Sequence, residues 1–183
     1  MREIIVVAGP TAVGKTKYAI ALAKAFDGEI VSCDSMQLYK YMNIGSAKPT
    51  DAEHAEAVHH LVDEIDPKEP FSVAKYSKMA KEAIEDIFSR GKTPIVSGGT
   101  GLYLNSLLYD MDFSAPPGDP AFREALYQEA EELGSQALYA RLEKADPQAA
   151  ERIHPHNIKK VVRALEAAAG GDRVGDFSRD LKP

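Results

Sequence analysis

The sequence of 183 residues has a single cysteine, Cys33, and no apolar run near the roughly 20 residues of a membrane span. One cysteine excludes a disulfide within the chain, and a reducing cytoplasm is the expected compartment. The N-terminus reads Met-Arg-Glu and then enters a short apolar stretch, so neither a secretion signal nor a membrane partner is predicted. Hydrophobic residues make up 44% of the chain, which is enough for one compact core with a small appended lobe.

Positive charge is also scarce, because 22 Lys and Arg stand against 28 Asp and Glu and the net charge is −6. This balance weighs against nucleic-acid binding, since neutralisation of phosphates favours basic domains. The charge is unevenly distributed, however. Residues 119–150 carry seven acidic and three basic side chains, whereas residues 151–163 carry four basic side chains and one Glu. The basic segment fits either a polyanion-binding surface or an ordinary solvated helix face.

The strongest motif is GPTAVGKT, which fits the phosphate-loop pattern G-x-x-x-x-G-K-[ST]. In such loops, backbone N–H groups and the positive end of the next helix hold phosphates. Lys15 is placed to reach terminal phosphates, and the Thr16 hydroxyl is placed to hold Mg²⁺. An apolar strand precedes the motif and an amphipathic helix follows it, as the motif requires. The predicted phosphate-binding residues are Gly9, Pro10, Thr11, Ala12, Val13, Gly14, Lys15 and Thr16.

Short apolar strands alternate with helical patterns through residue 111, which predicts an α/β fold. We expect a P-loop NTPase-like parallel sheet flanked by helices, with strands buried on both faces. Residues 35–71 are predicted to be irregular or to form short helical pieces. The clearest elements are strands at Glu3–Ala8, Glu29–Cys33 and Thr93–Ser97, a helix from the cap Ser72 to the stop Gly91, and a helix near Leu102.

From residue 112 onward the pattern is helical, after a linker-like stretch at residues 114–120. Helices are predicted at about 120–133, 135–144, 147–152 and 157–169. We interpret residues 1–111 as the α/β core, residues 112–169 as an inserted helical lobe, and residues 170–183 as an irregular tail.

Three polar features follow the carboxyl ends of predicted strands: the phosphate loop, Asp34-Ser35 and Gly98–Gly101. Ligands bind beyond these ends in parallel sheets, so we expect the three to converge. From position alone, Asp34 fits a Mg²⁺ ligand, a general base or a turn residue. Gly98–Gly101 fits either a close approach of backbone and the Thr100 hydroxyl to a ligand, or a helix start capped by Thr100.

Two histidine pairs, His59-His60 and His154-x-His156, lack the cysteines or spaced carboxylates of a metal site. Structural histidines are the favoured interpretation. Cys33 alternates away from Asp34 along its strand, and we interpret it as a core residue.

Taken together and in order, these motifs resemble the tRNA dimethylallyltransferase (isopentenyltransferase) family across residues 4–169. The pairing of Asp-Ser-Met-Gln-Leu-Tyr with Gly-Gly-Thr-Gly-Leu-Tyr is much more specific than the phosphate loop. The matching stretches are GPTAVGKT (9–16), DSMQLYK (34–40), MNIGSAKP (42–49), HHLVD (59–63), GGTGLY (98–103), RIHPHN (152–157) and RALE (163–166).

The resemblance implies transfer of a dimethylallyl group from dimethylallyl diphosphate to N6 of the adenosine 3′-adjacent to the anticodon. Mg²⁺ on Thr16 would assist the departing diphosphate, and Asp34 would accept the proton of the amine. The implied catalytic residues are Asp34, Lys15, Thr16 and Thr100. The implied tRNA-binding residues are Asp34, Ser35, Met36, Gln37, Thr100, Arg123, Lys159, Lys160, Val161, Val162 and Arg163. The basic segment thereby acquires a role that answers part of the objection from net charge.

Family members continue beyond the RALE helix, so we expect this chain to be truncated relative to them. The expected partners are dimethylallyl diphosphate and the anticodon stem-loop of tRNA, and the expected state is a monomer. An adenylate isopentenyltransferase acting on free nucleotide shares the core motifs and stays open, as does a fragment that only binds diphosphate or RNA. A small-molecule P-loop kinase is less favoured, because residues 112–150 hold only Arg123 and Arg141 where an arginine-rich lid is expected.

Overall fold

The structure, a computed structural model, describes residues 2–109, 111 and 119–170. Two compact units account for them, one running through Met111 and the other lying within Asp112–Asp180. Most of the predicted linker (114–120) and nearly all of the predicted tail (170–183) lie outside the described residues. Each unit is described below by itself.

The first unit is a parallel sheet with helices, which confirms the α/β class. All strand pairs are parallel, and the strand order is β1-β4-β2-β3. Its elements in chain order are β1 (Ile5–Ala8), α1 (Lys15–Ala25), β2 (Gly28–Cys33), α2 (Asp51–Glu56), β3 (His59–His60), α3 (Val73–Ser89), β4 (Thr93–Gly98) and α4 (Gly101–Leu108).

The two central strands, β2 and β4, are buried on both faces, as their continuous apolar runs predict. Ile30 and Ile95 pack with α1 on one face of the sheet. Val31 and Val96 pack with α3 and α4 on the opposite face. Successive side chains of a strand point to opposite faces, so each strand joins two layers of the core.

Strand β1 departs from the prediction of burial on both faces. It lies at the sheet edge, and its residues alternate between partly buried and exposed, with Val6 36% exposed. Ile5 and Val7 pack in the cluster that includes α1, whereas α3 lies over β2 and β4. An apolar run indicates a strand in this case, but it does not determine whether the strand is central.

Strand β3 is missing from the sequence-based prediction, which assigned residues 35–71 to irregular or short helical structure. His59 and His60 pair in parallel with Ile30 and Val31. A strand of two residues is too short to show a period-two pattern. The short helix α2 before it is held by a capping box in which the Thr50 hydroxyl accepts from Glu53 N, 3.3 Å away.

Helix α3 has the termini that the sequence predicts. The Ser72 hydroxyl accepts a hydrogen bond from Lys75 N at 3.3 Å, and Gly91 follows the helix in a left-handed conformation with φ 74°. The chain then enters β4, which leads directly into the Gly98–Gly101 loop.

The second unit consists of four helices among its described residues, as predicted. Asp119, Asp146 and Asn157 cap α5, α7 and α8 by accepting hydrogen bonds from backbone N–H groups. The helices are α5 (Pro120–Leu133), α6 (Ser135–Ala145), α7 (Pro147–Arg152) and α8 (Ile158–Ala169). Their apolar sides form a separate core with Leu126, Leu138, Leu142, Val161 and Leu165 at its centre. Within the described parts of both units, every helix is too short or too polar to cross a membrane.

Candidate functional site

The phosphate loop connects β1 to α1, where the sequence predicts it. Gly14 precedes α1 in the left-handed region with φ 85°, a conformation that glycine adopts without steric cost. Residues 11–14 are exposed. The loop thus presents its backbone and the start of an 11-residue helix to solvent, an arrangement that suits an anion.

Lys15 and Thr16 are the first two residues of α1. The Lys15 ammonium donates to the Pro10 carbonyl at 2.7 Å. Among the described residues it has no carboxylate partner, and the Thr16 hydroxyl makes no hydrogen bond. The Lys15 ammonium is therefore available to a phosphate, and the Thr16 hydroxyl is available to a phosphate or to a metal that accompanies it.

The three predicted strand ends lie side by side. In the parallel register, Ala8 pairs with Gly98, and Gly98 pairs with Cys33. A methyl group added at Gly98 would lie 2.0 Å from the Cys33 carbonyl oxygen, so only glycine allows this approach. The phosphate loop, the Gly98–Gly101 loop and Asp34 therefore leave the sheet from adjacent positions on one edge.

The Gly98–Gly101 loop also approaches the phosphate loop itself. A methyl group at Gly99 would lie 3.3 Å from the Gly9 carbonyl oxygen and 4.0 Å from Lys15 Nζ. The convergence predicted from the sequence is observed at this edge of the sheet.

Thr100 joins this loop to the segment that carries Asp34. Its backbone N–H donates to the Cys33 carbonyl at 3.1 Å, and its hydroxyl accepts from Ser35 N at 3.0 Å. Thr100 precedes α4 but makes no side-chain cap. Thr100 is thus the N-cap residue of α4 by position, as one interpretation predicts, but its hydroxyl accepts from Ser35 N and not from the helix backbone.

Asp34 is half-buried and shapes a turn. Its Oδ1 accepts hydrogen bonds from Met36 N at 2.8 Å and from Gln37 N at 3.4 Å. Asp34 is thus a turn residue, as one interpretation predicts, and the turn occupies one of its two carboxylate oxygens. Oδ2 has no hydrogen-bond partner within the described part of the chain. Such an oxygen is available to accept a proton from a ligand.

The next residues of the predicted tRNA set differ in availability. Met36 is 48% exposed, and it borders a surface pocket together with Tyr41 and Met42. The side chain of Gln37 is engaged within the protein. Its Oε1 accepts from Ser32 Oγ at 2.9 Å, and its Nε2 donates to the Ala47 carbonyl at 2.7 Å. Gln37 thus connects β2 to the loop at Ala47, whereas the side chain of Met36 faces solvent.

Lys48 is a feature that our sequence reasoning did not assign. Its side chain is only 7% exposed, and its ammonium donates to Tyr39 O, Asn43 Oδ1 and Asp63 Oδ1 at 2.7–2.9 Å. These contacts connect the MNIGSAKP and HHLVD stretches. A lysine beside a turn signal gives no sign of burial, so only the structure identifies this role.

A second unassigned feature is the buried carboxylate of Glu29 near the start of β2. It is bound by both terminal nitrogens of Arg90, by His60 Nε2 at 2.7 Å and by Lys92 Nζ at 3.4 Å. The hydrogen bond from Arg90 is the main reason that the pKa of Glu29 falls from 4.5 to about 2.

His59, His60 and His156 contact other residues of the protein, but among the described residues His59 Nε2 is buried without a hydrogen-bond partner. His60 belongs to the Glu29 cluster, and His59 Nδ1 lies 2.8 Å from the Ala57 carbonyl. Burial lowers the pKa of His59, which favours the neutral ring. His156 Nδ1 contacts the Ser135 hydroxyl at 3.2 Å. Cys33 is buried, as predicted, and burial raises the pKa of its thiol to about 11.

In the helical unit, Lys159, Lys160 and Arg163 lie exposed on α8, and none forms a salt bridge with another described residue. Val161 and Val162 are 0% and 1% exposed. Their side chains pack the core of this unit. Of the predicted residues on α8, those with exposed side chains are Lys159, Lys160 and Arg163.

Arg123, also predicted to contact tRNA, is paired within the unit. Its Nε donates to Glu166 Oε1 at 2.8 Å, and this hydrogen bond raises the pKa of the guanidinium. The Arg123 side chain is 43% exposed, whereas that of Glu166 is 6% exposed. Part of the guanidinium therefore stays accessible while it neutralises a buried carboxylate.

A parallel sheet with a phosphate-loop motif, a carboxylate and a glycine loop at the carboxyl ends of its strands defines a P-loop-like α/β fold. A sequence model described as IPP transferase matches residues 37–181. The chain belongs to this family.

Relatives and solved structures agree with this assignment. The tRNA dimethylallyltransferase of Alkaliphilus oremlandii is 51% identical over 181 residues, which cover 98% of this chain and 58% of the relative. That of an Exiguobacterium species is 55% identical over 169 residues, which cover 92% of this chain and 54% of the relative. The chain thus spans little more than half the length of these curated relatives.

Two solved structures resemble this one. The full-length tRNA isopentenylpyrophosphate transferase of Bacillus halodurans is 44% identical with a TM-score of 0.61, over 91% of this chain and 55% of its own. A eukaryotic dimethylallyltransferase, solved in crystallographic snapshots acting on tRNA, is 33% identical with a TM-score of 0.81, over 100% of this chain and 45% of its own.

Proposed function

We propose that this chain carries the reaction centre of a tRNA dimethylallyltransferase. The observation that carries the proposal is the meeting of three strand ends, which brings Lys15, Asp34 and Thr100 to one edge of the sheet. The names of the relatives favour tRNA as the acceptor over free adenine nucleotide. A phosphate-transferring kinase has no support among those names.

In the proposed reaction, the N6 amine of adenosine attacks the allylic carbon of dimethylallyl diphosphate. The new N–C bond forms, the C–O bond to diphosphate breaks, and the amine proton passes to Asp34. The phosphate loop and Lys15 stabilise the negative charge that develops on the departing diphosphate. An amine conjugated into a purine is a weak nucleophile, so its positioning against the carbon matters as much as basicity.

The free oxygen of Asp34 suits this role. Oδ1 is held by two backbone N–H groups, which fixes the carboxylate, while Oδ2 has no partner within the described ranges. Thr100 ties the same turn to the glycine loop, so it supports Asp34 and borders the acceptor side. We assign Ser35 and Met36 to the lining of this side, because they follow Asp34 directly.

The residues at the phosphate loop fit Mg²⁺. Thr16 offers an uncommitted hydroxyl oxygen at the start of α1, and hard oxygen ligands are those that Mg²⁺ prefers. No cluster of three or more His, Cys, Asp or Glu that could hold a metal occurs among residues 2–109, 111 and 119–170. Mg²⁺ is often bound by few protein groups together with substrate phosphates, so Thr16 and the diphosphate would hold the ion here. When bound, Mg²⁺ would add positive charge beside the departing diphosphate.

We assign tRNA binding to the helical unit, with Lys159, Lys160 and Arg163 contacting phosphates and Arg123 available at its exposed part. Under this proposal, residues 1–111 form the catalytic core and residues 112–169 form the RNA-binding lobe. A monomer in the cytoplasm, where tRNA is modified, is the corresponding expectation.

The test is a transfer assay with radiolabelled dimethylallyl diphosphate. We expect label to enter an anticodon stem-loop with adenosine next to the anticodon, and not the same stem-loop with guanosine there. Transfer to AMP but not to the stem-loop would identify an adenylate isopentenyltransferase instead. Normal diphosphate affinity without any transfer would mean that this length of chain only binds its ligands.

A further inference from the structure

The side chain of Lys48 is buried, and a buried lysine almost always has partners for its charge. Its ammonium has three N–H groups, and each has an acceptor: Tyr39 O at 2.7 Å, Asn43 Oδ1 at 2.9 Å and Asp63 Oδ1 at 2.7 Å. No donor is left for a substrate. The role of Lys48 must therefore be sought in what it holds in place.

The three acceptors belong to two separate parts of the chain that follow Asp34. Tyr39 and Asn43 lie in the loop after the Asp34 turn, and Asp63 comes after β3. Backbone hydrogen bonds join the same parts, because Asp63 N donates to Gln37 O at 3.0 Å and Lys40 N donates to Ile65 O at 2.8 Å. Lys48 lies where these two parts of the chain meet.

A continuous set of contacts leads from Lys48 to the carboxylate of Asp34. The neighbouring Ala47 carbonyl accepts from Gln37 Nε2 at 2.7 Å. The other end of the same amide, Gln37 Oε1, accepts from Ser32 Oγ on β2. The backbone N–H of Gln37 in turn donates to Asp34 Oδ1. The loop that Lys48 holds therefore fixes the residue that supports Asp34.

The backbone of this region needs such support. Tyr41, Ala47 and Asp63 have φ values of 65°, 49° and 58°, in the left-handed region that residues other than glycine rarely adopt. Conformations of this kind persist only where the surroundings determine them strongly. The Lys48 ammonium contacts Asp63 directly, and Lys48 follows Ala47 in the sequence.

We propose that Lys48 is a positioning residue for Asp34, acting through the loop from Gln37 to Ala47. The catalytic part of this inference rests on the proposed function, whereas its structural part does not. Lys48 touches neither substrate nor the reacting atoms in this proposal. It keeps the Asp34 turn in the conformation that leaves Oδ2 free.

The structural part is tested by amide hydrogen exchange, followed by NMR on the whole chain. Lys48→Met keeps the length of the side chain and removes all three donors. We expect exchange of the Met36 and Gln37 amides, which donate to Asp34, to accelerate by about tenfold or more. Lys24→Met removes an exposed ion pair to Glu56 and serves as the matched control, with no change at these amides.

A second control separates this effect from general loss of stability. Glu29→Gln should destabilise the same unit from the amino end of β2 without touching the loop. We expect it to leave the relative exchange of Met36 and Gln37, measured against core amides of β4, unchanged. If Lys48→Met does not fold, Asn43→Ala removes one acceptor and should accelerate the same two amides by about threefold.

The catalytic part is tested by kinetics of prenyl transfer. We expect Lys48→Met to lower kcat by about tenfold or more, since a misplacement of about 1 Å can cost up to 10²-fold, while the Kd for dimethylallyl diphosphate stays within about twofold. A merely structural role would lower the active fraction and leave the kcat of the folded enzyme unchanged.

The outcomes separate the two proposals. If the wild-type chain transfers nothing, the proposed function fails, and the exchange measurement alone decides on Lys48. Unchanged exchange at Met36 and Gln37 overturns the inference whatever the turnover. Faster exchange with unchanged kcat in an active chain overturns its catalytic part.

Discussion

Charged side chains are paired differently at the amino and carboxyl ends of the strands of the parallel sheet. At the amino edge, Glu29 is buried and saturated by Arg90, His60 and Lys92. At the carboxyl ends of the strands, the described residues offer Lys15 only a backbone carbonyl as partner, and they contact a single oxygen of Asp34. Charges that are fully paired stabilise the fold, whereas charges left incompletely paired are available to a ligand.

The same contrast recurs in the helical unit. Arg123 is paired with the buried carboxylate of Glu166, whereas Lys159, Lys160 and Arg163 lie exposed without a salt bridge to any described residue. If the contrast holds, removing an incompletely paired charge should change binding or catalysis. Removing a saturated charge should change stability instead.

The largest effect is expected at Asp34. Asp34→Asn retains an oxygen that can accept from Met36 N but removes the base, so we expect transfer to fall by about 10²–10⁴-fold. Diphosphate affinity and the melting temperature should stay close to those of the wild type. Single-turnover transfer to the stem-loop measures the loss. Asp34→Ala also loses the turn and should be no more active than Asp34→Asn. Near-normal turnover by Asp34→Asn would show that Asp34 is not the base.

Glu29→Gln tests the fully paired carboxylate at the amino ends of the strands. Because the folded pKa of about 2 lies below the ordinary 4.5, the carboxylate contributes about 3 kcal/mol above pH 4.5. This contribution is lost as the pH falls from 4.5 towards 2. Urea unfolding should show the loss at pH 7 and a shallower decline with acid in the variant, while kcat per folded molecule is unchanged.

The matched control for that variant is Glu85→Gln. Glu85 pairs with Arg2 on the surface, where both side chains are more than 60% exposed. Such pairs contribute about 0–1 kcal/mol. Equal destabilisation by both substitutions would contradict the special role of the Glu29 cluster.

Lys15→Ala tests the incompletely paired cation. Hydrogen bonds to charged groups contribute about 1.5–3 kcal/mol, so the Kd for dimethylallyl diphosphate should rise about 10- to 100-fold. Isothermal titration calorimetry gives the value directly. Lys17→Ala, an exposed neighbour on α1, should leave the Kd unchanged. A similar Kd for both variants would argue against the phosphate loop as the donor site.

The smallest effects are expected at the basic face of α8. Alanine at Lys159, Lys160 and Arg163 should weaken stem-loop binding and reduce the slope of log K against log salt by roughly 0.7–0.9 per lost phosphate contact. Fluorescence anisotropy at several salt concentrations measures the slope. Lys144→Ala, an exposed lysine of α6, is the control and should leave the slope unchanged.

Much of the fold was predictable from periodicity and caps. The three longest strands and the helices of the second unit lie within about a residue or two of their predicted bounds, because their apolar patterns and capping residues are local signals. The edge position of β1 was not predictable, since an apolar run does not encode which strands are neighbours. The two-residue β3 carries no pattern at all.

The sequence predicted where the central residues of the candidate site lie, but not the residues that hold the surrounding structure in place. Motif spacing and the strand-end rule located the phosphate loop, Asp34 and Thr100. The contacts of Lys48 and Glu29 join residues distant in sequence, so no local pattern reveals them. Val161 and Val162 carried a usable signal: with Ile158 and Leu165 they form the apolar stripe of α8, which indicates burial.

Gly98 has a consequence for all of these experiments. Because its main chain lies against that of Cys33 with no room for a methyl group, backbone atoms set the spacing between the end of β2 and the start of the glycine loop. Asp34→Asn and Lys15→Ala leave these backbone atoms in place. Losses measured with Asp34→Asn or Lys15→Ala will accordingly report on the chemistry of these side chains rather than on a change in strand spacing.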